Sequence, residues 1–267
     1  MNQQSKVAVI GAGVMGEALI AALISSGVNP DRITISEKRE ERAQELIARY
    51  SIKQAALSSN VADADALLLV VKPQDMASVL EDIKGSINPT AVVITFAAGK
   101  TISFITSGLG TANPVVRVMP NTPTLVGEGM AAASMGAGVT DEQRDFVLSF
   151  LGATGKVIEV SEELQDAVTA TSGSGPAYFF AFVEAMVAGA QELGLSQEDA
   201  TTLTVQTIVG AAKLLNQSGK SATTLRENVT SPNGTTAAAL ASFGDDKMSS
   251  MVAKAMKAAR DRSRELA

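Results

Sequence analysis

Glycines at 11, 13 and 16 stand where an apolar run, Lys6-Val7-Ala8-Val9-Ile10, gives way to an alanine-rich stretch, Glu17 to Ser26, that Gly27 closes. That spacing suits a pyrophosphate. The first glycine permits a tight reversal, the second lets the backbone approach the anion, and the third lets a helix pack on the strand with its free N–H groups facing the ligand. The strand–turn–helix context is what the motif requires, so Ile10, Gly11, Gly13, Val14, Met15 and Gly16 are candidate dinucleotide contacts. About 20 residues further on, Glu37 is placed to accept the ribose hydroxyls of NAD. Lys38, Arg39 and Arg42 follow at once and suit the 2′-phosphate of NADP. A charged helix start on the surface accounts for the same four residues, and the choice between the two cofactors stays open.

The absences narrow the chemistry further. The chain has no histidine and no cysteine, which excludes disulfides, thiol nucleophiles, imidazole triads and metal sites built on those ligands. Proton chemistry, if there is any, runs without imidazole. Three segments spend glycine, proline and hydroxyl residues where regular structure wants none: Met119-Pro120-Asn121-Thr122-Pro123, Thr171-Ser172-Gly173-Ser174-Gly175-Pro176, and Thr230-Ser231-Pro232-Asn233-Gly234-Thr235-Thr236. Each also serves as an ordinary turn or cap. The last two read as hydroxyl-rich helix starts, which hold small anions such as a carboxylate.

Elements must carry these residues. Apolar runs at Val7–Ile10, Ile33–Ser36, Ala66–Val71, Val92–Phe96 and Val115–Met119 alternate with helical segments, which predicts a parallel sheet covered on both faces. Ligands of such sheets lie beyond the carboxyl ends of the strands. The loops Val71-Lys72-Pro73 and Ala97-Ala98 are therefore expected to flank the cofactor. No convincing strand follows Val160, and Ser196 with Asp199 three residues on marks a helix start. The expectation is an α/β chain, with a Rossmann-type domain over 1–160 and a helical one over 161–267.

With 267 residues, each half is large enough to bury a core. Several helices of the second half are apolar on more than one side, which predicts burial against a second copy, or against the sheet domain of the same chain. A net charge of −6 argues against nucleic acid or acidic lipid as a partner. No apolar run reaches the roughly 20 residues that span a bilayer, and Met1 to Ser5 is polar, so a cytoplasmic chain is expected.

Taken together, the fingerprint Ile10–Gly16 with Val71-Lys72-Pro73, the segment RVMPNTP from Arg117, DAVTATSGSGPAYFF from Asp166, and LRENVTSPNGTTAAAL from Leu225 resemble pyrroline-5-carboxylate reductase. The likeness runs through nearly the whole chain in order. One departure is Asn233, where the family usually has glycine. The resemblance implies reduction of a cyclic imine bearing one carboxylate, the last step of proline biosynthesis, with hydride from NADPH or NADH. It also implies an all-α dimerisation domain, and leaves open whether dimers assemble further. An imine that enters protonated becomes a neutral amine on accepting hydride, so the missing histidine is no loss. By the same resemblance Thr236 faces the ring nitrogen. Ser231, Gly234 and Thr235 hold the carboxylate, Asn228 lies between substrate and cofactor, and Asn121, Thr122 and Ala98 frame the nicotinamide. A β-hydroxyacid dehydrogenase is the nearest rival, yet the segment Pro176–Gly194 lacks the lysine such enzymes carry. A nucleotide-sensing regulator has no use for the late serine, glycine and threonine residues.

Overall fold

The computed structural model describes residues 4–266; Met1–Gln3 and Ala267, the outermost ends of the two expected domains, lie outside it. Two compact units emerge, one running to Ser174 and resuming at Ala258, the other Gly175–Lys257. By compactness the seam falls after Ser174, later than the 160/161 boundary suggested by the sequence.

In the first unit the strands are β1 (Val7–Ile10), β2 (Ile33–Ser36), β3 (Lys53–Gln54), β4 (Ala66–Leu69), β5 (Val92–Thr95), β6 (Val115–Met119), β7 (Gly129–Met135) and β8 (Gly155–Glu159). Between them run α1 (Val14–Ser25), α2 (Glu40–Tyr50), α3 (Leu57–Asp63), α4 (Met76–Ile83), α5 (Ile102–Leu109) and α6 (Asp141–Gly152). The sheet order is β3-β2-β1-β4-β5-β6-β7-β8. Strand β1 is flanked by β2 and β4, with Val7 opposite Ile33 on one side and Ala66 on the other. The strand order reverses there, which is where such sheets bind nucleotides.

Alternate residues of the strands feed two cores. Val7, Val9, Ile33, Ile35, Leu68, Ile94 and Val116 pack with α1, α2 and α6, while Ala8, Ile10, Leu67, Leu69, Val93 and Val115 pack with α3, α4 and α5. The period-2 pattern thus buries both faces. The expectation of a parallel sheet holds except at one seam: β7 runs antiparallel to β6, with Met119 opposite Ala132. Segment 120–128 between them is too short for a parallel crossover, which takes a dozen or more residues.

After β8 come α7 (Gln165–Val168), a π turn over Thr169–Gly173, and α8 (Gly175–Glu192). The second unit adds α9 (Gln197–Gln217), α10 (Ala222–Asn228), α11 (Thr235–Asp245) and most of α12 (Met248–Glu265). Ser196 caps α9 as the sequence suggests, its hydroxyl accepting from Asp199 N at 3.1 Å. Phe182 of α8 and Phe243 of α11 meet with ring centroids 6.5 Å apart. Phe179, Phe180, Leu203, Leu214 and Met251 nevertheless remain more than half exposed in the single chain. Among the described residues, no helix is long and apolar enough to cross a membrane.

Candidate active site

The loop after β1 is wedged between the ends of its two neighbours. Gly11 N donates to Ser36 O at 3.1 Å, and Val70 N donates to Ile10 O at 2.9 Å. Gly11 sits at φ +87°, and a Cβ there would lie 2.8 Å from Val70 O, so the position requires glycine on both counts. A Cβ on Gly16 would run into Gly11 O, whereas one on Gly13 would meet nothing within 4 Å. The side facing outward is therefore open space beside the start of α1, whose N-cap, Gly13, offers no side chain to its N–H groups. Such a cradle fits a pyrophosphate.

Glu37 is turned into this loop. Its Oε2 accepts from Ala12 N at 2.9 Å, and its Oε1 accepts from Arg39 N and Nε, both at 3.0 Å. Burial alone raises the carboxyl. Hydrogen bonds from Arg39, side chain and backbone, and from Ala12 outweigh that and hold it below the ordinary carboxylate range. Lys38 and Arg39 are exposed. Arg42, offered by the sequence as a third phosphate ligand, is spent elsewhere: its Nε donates to Ala12 O at 3.0 Å and its guanidinium pairs with Glu17 and Glu45. Glu17 also takes Arg49 and, at 3.0 Å, the hydroxyl of Tyr50. This brace from α2 to the glycine loop went unseen in the sequence, although the acid straight after Gly16 and arginines at helical spacing on α2 were its signal.

The remaining cofactor candidates line the same edge of the sheet. Val71 Cγ1 would lie 3.1 Å from a Cβ on Gly11, Lys72 is exposed, and Pro73 opens a short 3₁₀ turn before α4. Ala97 is buried and Ala98 half-buried in the loop after β5. Thr122 is exposed at the start of another 3₁₀ turn. Asn121 is buried, and both ends of its amide are taken: Oδ1 accepts from Met130 N at 2.8 Å and Nδ2 donates to Ser172 O at 3.1 Å. That second bond has a local cause. Ser172 O stands four residues before Pro176, which has no N–H to give it.

The segment Thr171–Pro176 departs from the sequence reading only in part. Helix α8 does begin at Gly175 with Pro176 in its first turn, but a π turn over Thr169–Gly173 runs directly into that start, closed by Ser174 N donating to Thr169 O at 2.8 Å. Thr171 and Ser172 turn their hydroxyls back onto Ala167 O and Val168 O, at 2.8 and 3.3 Å. The hydroxyl-rich start at α11 is present as expected. Gly234 is its N-cap, without a side-chain bond, and a Cβ there would lie 2.5 Å from Ser231 Oγ. Asn233 takes φ +61°, so asparagine supplies the left-handed turn in place of glycine. Ser231 and Thr235 are exposed, Thr236 is half-buried in the first turn of α11, and Asn228 is the exposed last residue of α10. The cofactor candidates thus gather in the first unit and the substrate candidates at one corner of the second.

A family model for pyrroline-5-carboxylate reductase dimerisation matches residues 162–266, and one for NADP oxidoreductase, coenzyme F420-dependent, matches residues 6–99. A pyrroline-5-carboxylate reductase of Corynebacterium melassecola is 42% identical over 264 residues, covering 97% of this chain and 98% of that one. One from Pseudomonas aeruginosa is 40% identical, covering 98% and 97%. A solved pyrroline-5-carboxylate reductase from Coxiella burnetii superposes with a TM-score of 0.91 at 34% identity, covering 99% of both chains. The Plasmodium falciparum pyrroline carboxylate reductase with NADP bound gives 0.88 at 27% identity, covering 100% of this chain and 99% of that one. On this full-length likeness the chain belongs to the pyrroline-5-carboxylate reductase family.

Proposed function

We propose that this chain reduces 1-pyrroline-5-carboxylate to L-proline with NADPH or NADH as reductant. The observation that carries the reading is the full-length likeness to reductases of that name, in a chain that keeps both an open glycine cradle and a hydroxyl-rich helix start. The nicotinamide, when bound, supplies a hydride to the C=N carbon. The ring enters as the iminium and leaves as a neutral amine, so hydride transfer needs no acid from the protein, in keeping with a chain without histidine.

We assign the roles as follows. Gly11, Gly13 and Gly16, with Ile10, Val14 and Met15, cradle the pyrophosphate. Glu37, Lys38 and Arg39 meet the adenosine ribose, Val71, Lys72, Pro73 and Ala97 flank the cofactor, and Ala98, Asn121 and Thr122 frame the nicotinamide. Because its amide is already bonded at both ends, Asn121 contributes position and backbone rather than its side chain. Ser231, Gly234 and Thr235 hold the substrate carboxylate at the start of α11, Asn228 lies between substrate and cofactor, and Thr236 Oγ1 meets the ring nitrogen. Residues 161–267 act as the dimerisation and substrate module, and the exposed apolar helices are the surface a second copy covers. Larger assemblies of dimers would use other surfaces. The working place is the cytoplasm, without membrane or nucleic-acid partners.

The test is oxidation of NADPH and of NADH, side by side, with the imine as acceptor. Proline formed in step with cofactor oxidation is the expected result; no oxidation with either cofactor overturns the reading.

A further inference from the structure

Two residues of the diagnostic segments, Arg117 and Asp166, have no part in the roles above, yet they form the centre of a charged cluster. Arg117 is 4% exposed in β6. Its guanidinium lies 3.5 Å from Glu162 Oε1 and 3.4 Å from Asp166 Oδ1, two acids spaced one helical turn apart. Each acid reaches on to a further element. Glu162 Oε1 accepts from Ile102 N at 2.6 Å, at the first residue of α5. Asp166 Oδ1 accepts from Ser263 Oγ at 2.8 Å, and its Oδ2 lies 3.6 Å from Arg264 Nε, both in the final turns of α12. Those turns press on the loop after β5: Gly99 sits at φ +75°, and a Cβ there would lie 2.8 Å from Ser263 O and from Leu266 Cβ. Gln165, wholly buried between the acids, ties the same segment to Arg117 O, Ala132 O and Ser134 Oγ.

We propose that Arg117 and Asp166 are positioning residues that set the loop 97–102, one wall of the nicotinamide site, by anchoring the C-terminal end of the chain against it. The proposal rests on the cofactor site assigned above. A buried ion pair adds little net stability over apolar packing, so its value here lies in fixed geometry. The loop is held at one end through Glu162 and at the other through Ser263 and Leu266, and both restraints lead back to one guanidinium. Neither residue is among those assigned to cofactor or substrate.

The test uses Ser263→Ala, which cuts only the C-terminal restraint, beside Asp166→Asn, which keeps an acceptor for Ser263 but removes the charge facing Arg117. Calorimetric titration with NADPH is expected to show affinity weakened about fivefold or more in each. Hydrogen exchange at residues 97–102 should quicken while that of β1 is unchanged, and Ser263→Thr should restore both. Wild-type affinity and unchanged exchange in folded variants overturn the positioning role alone. A wild-type protein that binds no nicotinamide overturns the cofactor site and this role with it.

Discussion

Thr236 offers the one hydroxyl assigned to the reacting bond in a chain without imidazole or thiol. Thr236→Ala should therefore lower kcat about tenfold or more, the scale of one transition-state hydrogen bond, with Thr236→Ser milder. Equal kcat values for wild type and the alanine variant discard that role. On the proposed assignment of the adenosine end, Glu37 would set a negative charge against a 2′-phosphate, and its partner Arg39 would favour one. In Glu37→Gln the ratio of NADPH to NADH affinity should rise about tenfold, measured by titration of each cofactor. The same carboxylate ties stability to pH. Its folded pKa is depressed, so its contribution is complete above the ordinary carboxylate range and is lost as pH falls through the lowered value. Thermal melts of wild type and the glutamine variant should accordingly differ most near neutrality and converge in acid; a constant gap would show that Glu37 stays charged to lower pH or acts only through shape.

At the scale of elements, Asn121 joins the end of β6 to the start of β7 and to the π turn, and both groups it satisfies are backbone. Asn121→Ala leaves Met130 N–H and Ser172 C=O without that partner, and should cost about 1–3 kcal/mol in denaturant unfolding. A midpoint unchanged from wild type would mean water replaces the amide. This element also marks the limit of what the sequence displays. The β-branched runs of β1, β2, β5 and β6 and the glycine motif were legible because period, turn residues and buried faces agree. Strand β7, Gly-Met-Ala-Ala-Ala-Ser-Met, was not, since its alanines carry no strand preference and its pairing with β6 and β8 alone decides it. The two-residue β3 is too short to show a pattern. In Thr171–Pro176 the proline after hydroxyls and glycines marked the first turn of α8, but the π turn before it was hidden, and only the long-range bond from Asn121 shows where the freed carbonyl goes. Among the site residues, the glycines were readable locally, whereas the occupation of Arg42 by Glu17 depends on how α2 packs.

For the whole molecule, the exposed apolar residues of the helical unit are the surface that a second copy is proposed to cover. Leu214 is 54% exposed, and burying such a side chain is worth about 1.5–3 kcal/mol, while a charge in its place costs several. Leu214→Glu should shift sedimentation from dimer toward monomer, and a dimer of unchanged affinity would place the interface on another face. The division of candidates between the two units allows a stricter test. If the cradle of one chain works with α11 of its partner, a variant dead in the cradle, Gly13→Asp, and one impaired at the hydroxyl, Thr236→Ala, should rescue each other when mixed. Random reassortment makes half the dimers hybrid, and each hybrid holds one site built from two intact halves, so about a quarter of wild-type activity should return. If instead each chain completes its own site, every site in the mixture carries one lesion. Activity after co-refolding then stays at the level of the separate variants, and the two-chain site is excluded.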